Sequence, residues 1–280
     1  MFSYHTHTFF CDGKASVDDF CEMAIKNGFA QLAFTSHAPV PFTNNYSLAF
    51  EKLFRYRDTV LEAKHRYSGQ LDVLLGLEAD FIPDTTIDFD QWRRLIQPDF
   101  IVGSVHFVKD DATGKNWFID GAPHNFEAGL EEVFDGDIER AVRLYFKQVR
   151  TMLGTQKPEI VGHIDKVKMN NRDIYFKTHE KWYCDELAQT FECVKQHGAI
   201  VEINSRGVYR GKYHQCFPHI DGIQICMELG IPLTLASDAH QPEELRSGFE
   251  LSKQIAVQAG LRQIAMFDNG TWKSVEIDSL

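Results

Sequence analysis

Phe100-Ile101-Val102-Gly103-Ser104-Val105-His106 is an apolar run closed by a histidine. Consecutive apolar positions, rather than alternating ones, mark a strand covered on both faces, as in a parallel sheet. Working outward, the same arrangement recurs along the chain. Short apolar runs at 2–4, 31–35, 71–77, 159–162, 199–203 and 232–236 alternate with amphipathic segments, the pattern of β-α units around a parallel sheet. With 100–105 they make seven strands, and a weaker eighth stands near 264–267.

The intervening segments have readable ends. After Ser16 as N-cap, Val17, Phe20, Cys21 and Ala24 recur at helical spacing until Gly28. Over 137–153 the stripe is Ile138, Ala141, Val142, Tyr145 and Val149, with Gly154 as the expected stop. Further helices are expected over 47–67, 182–196 and 242–259. The stretch 109–136 breaks this rhythm: it is rich in glycine and acids without a sustained period, and reads as a long loop positioned to cover a site.

The 280 residues fit one α/β barrel domain, and 44% hydrophobic residues suffice for a large core. A net charge of -11 disfavours nucleic acid and anionic membrane as partners. There is no apolar run of membrane-spanning length and no secretory signal pattern at the start. The six cysteines are dispersed without a Cys-x-x-Cys pair, which suggests a reducing, cytoplasmic setting. Oligomeric state leaves no trace in the helix faces.

The ionisable residues at the strand ends are the most informative feature. His5 and His7 end the first strand, His37 follows the second, Glu78 the third, His106 the fourth, His163 the fifth, and Asp238 and His240 the seventh. The carboxyl ends of parallel strands share one mouth, so these side chains should converge. A single buried histidine is usually a satisfied core residue; six of the twelve histidines together with carboxylates imply compensating cations. In His5-Thr6-His7 the two imidazoles share one face of an extended chain, Asp238-Ala239-His240 repeats that spacing, and Asp12 sits in a turn that Gly13 allows to fold back towards His7. Imidazole and carboxylate ligands without thiolates suit an open catalytic site for Zn, Mn or Fe. Two or three divalent metal ions are expected: one held by His5, His7, Glu78 and Asp238, one by Glu78, His106 and His163, one by Asp12, His37 and His240.

At these residues the sequence resembles the PHP family of metallohydrolases (polymerase and histidinol phosphatase), most of all its histidinol-phosphate phosphatases. The likeness runs through His5-Thr6-His7-Thr8, Thr35-Ser36-His37-Ala38-Pro39, Gly76-Leu77-Glu78-Ala79-Asp80, Gly103-Ser104-Val105-His106-Phe107, Gly162-His163, Glu202-Ile203-Asn204 and Ser237-Asp238-Ala239-His240. The resemblance implies a distorted (β/α)7 TIM-like barrel and metal-dependent hydrolysis of L-histidinol phosphate, a step of histidine biosynthesis. One position departs: many of the resembled phosphatases keep a histidine where this chain has Gly13, so Asp12 would stand in as ligand.

In such a reaction a water acidified by the ions attacks phosphorus in line. Glu78 would bridge ions, and Asp238 or His240 would give a proton to the leaving alcohol. No Cys-x5-Arg loop, Asp-x-Asp-x-Thr/Val motif or Gly-x4-Gly-Lys-Ser/Thr loop offers another route. Arg206, two residues past Asn204, is the candidate fork for phosphate, with Arg210 in reserve, against the plainer reading of a surface arginine paired with an acid. Trp117, Phe118 and Asp120 could receive an imidazole, although loop aromatics more often simply pack. Asp165 and Lys166 are candidate supports for His163, and Cys11 reads as a small buried hydrophobe before a reactive thiol. The competing readings are a phosphatase for another small phosphomonoester, a phosphodiesterase or exonuclease with the same metals, and a metal-stabilised interaction domain. The acidic composition weighs against the nuclease.

Overall fold

Seven strands form one parallel sheet: β1 (Phe2–Ser3), β2 (Gln31–Phe34), β3 (Asp72–Asp80), β4 (Phe100–Ser104), β7 (Ile160–Val161), β8 (Ile200–Asn204) and β9 (Leu233–Ala236), adjacent in that order. The protein is represented by a computed structural model, which describes residues 1–279. All seven coincide with the apolar runs read from the sequence, with no end shifted by more than three residues. β1 and β9 meet through a parallel bridge between Thr6 and Ala239, where the His7 N–H donates to the Ala239 carbonyl at 2.8 Å, and this contact brings the sheet nearly closed as a distorted TIM-like barrel. Strands β2, β4, β8 and β9 are buried along their whole length, as expected where a sheet is covered on both faces.

The crossovers between successive sheet strands carry α1 (Val17–Lys26), α2 (Leu53–Arg66), α3 (Phe89–Ile96), α5 (Ile138–Gln156), α6 (Lys181–His197) and α8 (Ile220–Leu229), with a single short turn of helix, α7 (Arg206–Tyr209), after β8, and α9 (Phe249–Ala259) follows β9. Ser16 caps α1 in a reciprocal capping box with Asp19, worth about 1 kcal/mol. α5 runs through Gly154 instead of stopping there, and ends at Lys157, which takes a left-handed conformation before Pro158. Proline, not glycine, sets that boundary, because its ring cannot continue the helix. The segment expected as one helix over 242–259 is split: a 3-10 turn at Pro242–Glu244 precedes α9, with Gly248 at φ +70 between them.

Two further expectations need correction. The stretch 109–136 is not an irregular loop. It contains the end of a hairpin, β5 (Phe107–Lys109) with β6 (Asn116–Phe118), followed by α4 (Pro123–Phe134). The hairpin's tip is held by Asp110, which accepts from the Thr113 N–H and hydroxyl and pairs with Arg140. The eighth strand exists as β10 (Gln263–Asp268), but it pairs antiparallel with β11 (Thr271–Glu276) outside the barrel. Asn269 and Gly270, both at positive φ, supply the tight turn that sends the chain back on itself. This hairpin caps the amino end of the barrel: Trp272 and Phe267 pack on Tyr4 and Phe100, the Tyr4 hydroxyl donates to Gln31 and accepts the Phe267 N–H. One end is thus plugged, and the other carries the ligand-type side chains. Among the described residues, no helix is long and apolar enough to cross a membrane.

Candidate metal centre

The two oxygens of Glu78, on the interior face of β3, face five imidazoles. Oε2 lies 2.9 Å from His37 Nδ1, 3.2 Å from His5 Nε2 and 3.4 Å from His7 Nε2; Oε1 lies 3.0 Å from His163 Nε2 and 3.6 Å from His106 Nε2. Asp238 Oδ1 stands 3.3 Å from His7 Nε2, and Asp12 Oδ1 stands 3.3 Å from His240 Nε2. All nine candidates read from the strand ends and the Asp12 turn are therefore brought together. Strand parity explains the first pair: the backbone around Thr6 is extended where it pairs with Ala239, so His5 and His7, two residues apart, share one face. The Asp12 turn requires Gly13, since a Cβ there would lie 2.5 Å from the backbone of His7.

The donor atoms fall into sets of metal-binding size: His5, His7 and Asp238; Glu78, His106 and His163; and His7, Asp12, His37 and His240. They differ from the expected groupings in three ways: Glu78 stands outside the set of His5, His7 and Asp238, His7 also joins Asp12, His37 and His240, and a further set of His37, Asp80 and His106 cuts across the others. The fit to divalent cations rests on what the donors lack. His5 Nε2, His7 Nε2, His37 Nδ1, Asp12 Oδ1, Glu78 Oε2 and Asp238 Oδ1 are buried without a hydrogen-bond partner among the described residues. An unsatisfied buried polar atom costs about 1–3 kcal/mol. Six such atoms aimed at one another are compensated by cations, and neutral imidazole with carboxylate is the donor set of catalytic transition-metal sites.

Charge in the cluster is uneven. Burial opposes ionisation of Glu78, yet His37, His5 and His106 hold its carboxyl well below the usual range; Asp238 is held low in the same way by His5, His7 and Arg206. Burial and the facing His240 and His37 keep the His7 imidazole well below its ordinary value, hence neutral. Burial also acts on His37, but Glu78 and Asp12 outweigh it and push this imidazole up to about 10.

A second layer orients the donors. Glu202, midway along β8, accepts from His5 Nδ1 at 2.7 Å and from the His163 N–H at 2.8 Å. Asp80 Oδ1 lies 2.7 Å from His106 Nδ1, and the Tyr46 hydroxyl donates to Asp80 Oδ2 at 3.2 Å. Such pairing fixes which ring nitrogen faces the metal. Asp80 and Glu202 stand in the sequence motifs that carry the PHP resemblance, Asp80 sharing the interior face with Glu78 two residues away, but nothing in the sequence assigns either a partner. Tyr46 gave no signal, because it lies in an irregular segment after His37.

Above the cluster is a cavity of about 180 Å³ whose wall includes Tyr46, Phe118, Asp120, Lys166, Arg206 and Lys212. Lys166 Nζ is 2.9 Å from Asp120 and 3.4 Å from His106 Nε2, and Lys212 Nζ is 3.6 Å from Asp120. Phe118 stacks on Phe107 with centroids 4.7 Å apart. Three expectations about substrate contacts change. Trp117 does not face the cavity: it is fully buried, its indole N–H donates to the Phe126 carbonyl, and it packs on Phe126 and Phe134. Alternation along β6 gives the opposite face to Phe118. Arg210 is half-exposed and pairs with Glu244 instead of lining the cavity. Arg206 does line it, but its Nη1 is engaged by the Asp238 carbonyl at 2.7 Å, by Glu244 and by the Tyr209 hydroxyl.

The fold and the residues match known proteins over nearly the whole chain. The Histidinol-phosphatase of Bacillus subtilis is 26% identical over 263 residues, covering 88% of this chain and 96% of the relative. A crystal structure from Listeria monocytogenes assigned as a histidinol phosphatase superposes with a TM-score of 0.79 at 22% identity, covering 90% of this chain and 99% of that one. The histidinol phosphate phosphatase of Lactococcus lactis, crystallised with zinc, L-histidinol and phosphate, gives 0.72 at 19% identity, covering 97% and 98%. These two likenesses establish the barrel. The sequence profile of the PHP domain matches residues 3–206, well over half of the chain, and on that match the chain belongs to the PHP family.

Proposed function

We propose that this chain hydrolyses L-histidinol phosphate to L-histidinol and phosphate, using two or three divalent ions of the Zn, Mn or Fe class. The observation that carries the reading is the convergence of five imidazoles on the two oxygens of Glu78, at the floor of a cavity rimmed by Lys166, Arg206 and Lys212. Relatives of nearly full length that bear the histidinol-phosphatase name support the substrate.

His5, His7, Glu78 and Asp238 would hold one ion, Glu78, His106 and His163 a second, and Asp12, His37 and His240 a third. Ions in such sites would supply Lewis acidity, which lowers the pKa of a water towards about 7 and stabilises charge on phosphoryl oxygens. The remaining work belongs to the chain. Lys166 and Lys212, both beside Asp120, provide cations for the phosphate, and Arg206 adds its guanidinium edge: all its side-chain bonds to the described residues leave from Nη1. Phe118 and Tyr46 offer aromatic faces to the organic part, with Asp120 beside them. His240, the more exposed of the two candidates, passes a proton to the leaving alcohol, since His5, His7 and Arg206 hold Asp238 in its ionised form with no proton to give.

The substrate is a small phosphorylated metabolite, not a nucleic acid: a net charge of -11 and, among the described residues, three rim cations make a poor track for a polyanion. The protein works in the cytoplasm, a reading supported by six cysteines without disulfides. Metal-loaded protein assayed on histidinol phosphate, an aryl phosphate and a short oligonucleotide tests the proposal. Preferential turnover of the first is expected. Equal rates on all three overturn the substrate, and nucleotide release alone would identify a nuclease.

A further inference from the structure

Glu244 ends the 3-10 turn that follows His240, and its carboxylate is buried. It collects five donors. Oε2 accepts from the His240 N–H at 2.9 Å, from Arg206 Nη1 at 3.3 Å and from the Tyr209 hydroxyl at 3.4 Å; Oε1 accepts from Gln241 Nε2 at 3.0 Å and Arg210 Nη1 at 3.1 Å. A carboxylate has about four lone-pair sites, so this one has no capacity left for substrate or metal. Nor does it line the cavity.

Its partners show what it does. Arg206 Nη1 and the Tyr209 hydroxyl also reach the Asp238 carbonyl, at 2.7 and 3.3 Å. Glu244 and these two groups therefore hold the two peptide units that flank Ala239 in the segment 238–240, by the carbonyl of Asp238 and by the N–H of His240. The other carbonyls of the segment are taken as well: Ala239 accepts from the His7 N–H and His240 from the Lys14 N–H. Such restraint offsets a local cost, because Asp238 has φ +54, a left-handed conformation less favourable for a residue with a Cβ than for glycine. In that conformation Asp238 Oδ1 joins His5 and His7, while the His240 ring joins Asp12 and His37. One short segment thus serves two of the donor sets.

We propose that Glu244 is a positioning residue of the metal centre: by clamping Asp238-Ala239-His240 through Arg206, Tyr209 and the His240 N–H, it aims both donors. The proposal rests on the reading of the cluster as a metal centre and is independent of which phosphomonoester is cleaved.

The full-length protein is compared as Glu244→Ala, Glu244→Gln and Val149→Ala, the last a buried change on α5 remote from the cluster. Affinity for Zn2+ and Mn2+ is measured by competition with a chromophoric chelator, and donor geometry by the visible spectrum of the Co2+-loaded protein. Glu244→Ala is expected to weaken the most loosely held ion at least tenfold and to change the Co2+ spectrum. Glu244→Gln, which keeps one oxygen for the His240 N–H, should recover part of both. Val149→Ala should lower the melting temperature and leave affinity and spectrum unchanged. A loss under threefold in Glu244→Ala, or an equal loss in Val149→Ala, overturns the proposal. If the alanine variant does not fold, the glutamine variant decides at the same threefold threshold. A parent protein that binds neither ion overturns the metal-centre reading, and this proposal with it.

Discussion

His106 presents Nδ1 to Asp80 Oδ1 at 2.7 Å, and its other nitrogen, Nε2, points at Glu78 and His163. The carboxylate thereby decides which nitrogen is left as a donor to the cluster. Removing such a support typically costs 10–100-fold in metal affinity or activity. Asp80→Asn, which preserves shape but not charge, should lower kcat and the affinity of the Glu78, His106, His163 set by roughly that factor, measured by steady-state kinetics and metal analysis of the dialysed protein.

Glu78→Gln should have the largest effect of any single change. Its Oε1 and Oε2 between them face His5, His7, His37, His106 and His163, and an amide nitrogen in place of either oxygen would turn a donor towards imidazole nitrogens. Loss of bound metal and of nearly all turnover is expected; unchanged activity would refute the bridging role.

Chelation should destabilise the protein as well as silence it. Ions that bind only the folded chain stabilise it by about 2.7 kcal/mol per site at a free concentration 100 times Kd. Calorimetry with and without a chelator should therefore show a lower melting temperature in the chelated sample, restored on adding back Zn2+ or Mn2+. Equal melting temperatures would contradict the fit of the unsatisfied donors to cations.

Trp117 and Phe118 are neighbours with opposite fates. Trp117→Ala empties a fully buried site and should cost about 3–5 kcal/mol of stability in denaturant unfolding, with KM of the folded fraction unchanged. Phe118→Ala, on the cavity wall, should raise KM several-fold at a much smaller cost in stability. A KM effect from the tryptophan would reverse the assignment of faces.

The sequence by itself determined the seven strands, because a sheet buried on both faces must spell out continuous apolar runs. It also determined the nine ligand-type side chains, because parallel strands bring their carboxyl ends to one mouth wherever they lie in the chain. It did not determine the eighth strand's partner, since an apolar run looks alike inside a barrel and in a hairpin across its end. Tertiary structure alone decided the supports: Tyr46 on Asp80, Glu202 between His5 and His163, and Glu244 beneath His240. It also turned Arg206 into a strut for Asp238 and put Trp117 in the core. Those roles depend on which atoms of distant segments come within hydrogen-bonding reach, and neither spacing nor composition encodes a distance between segments.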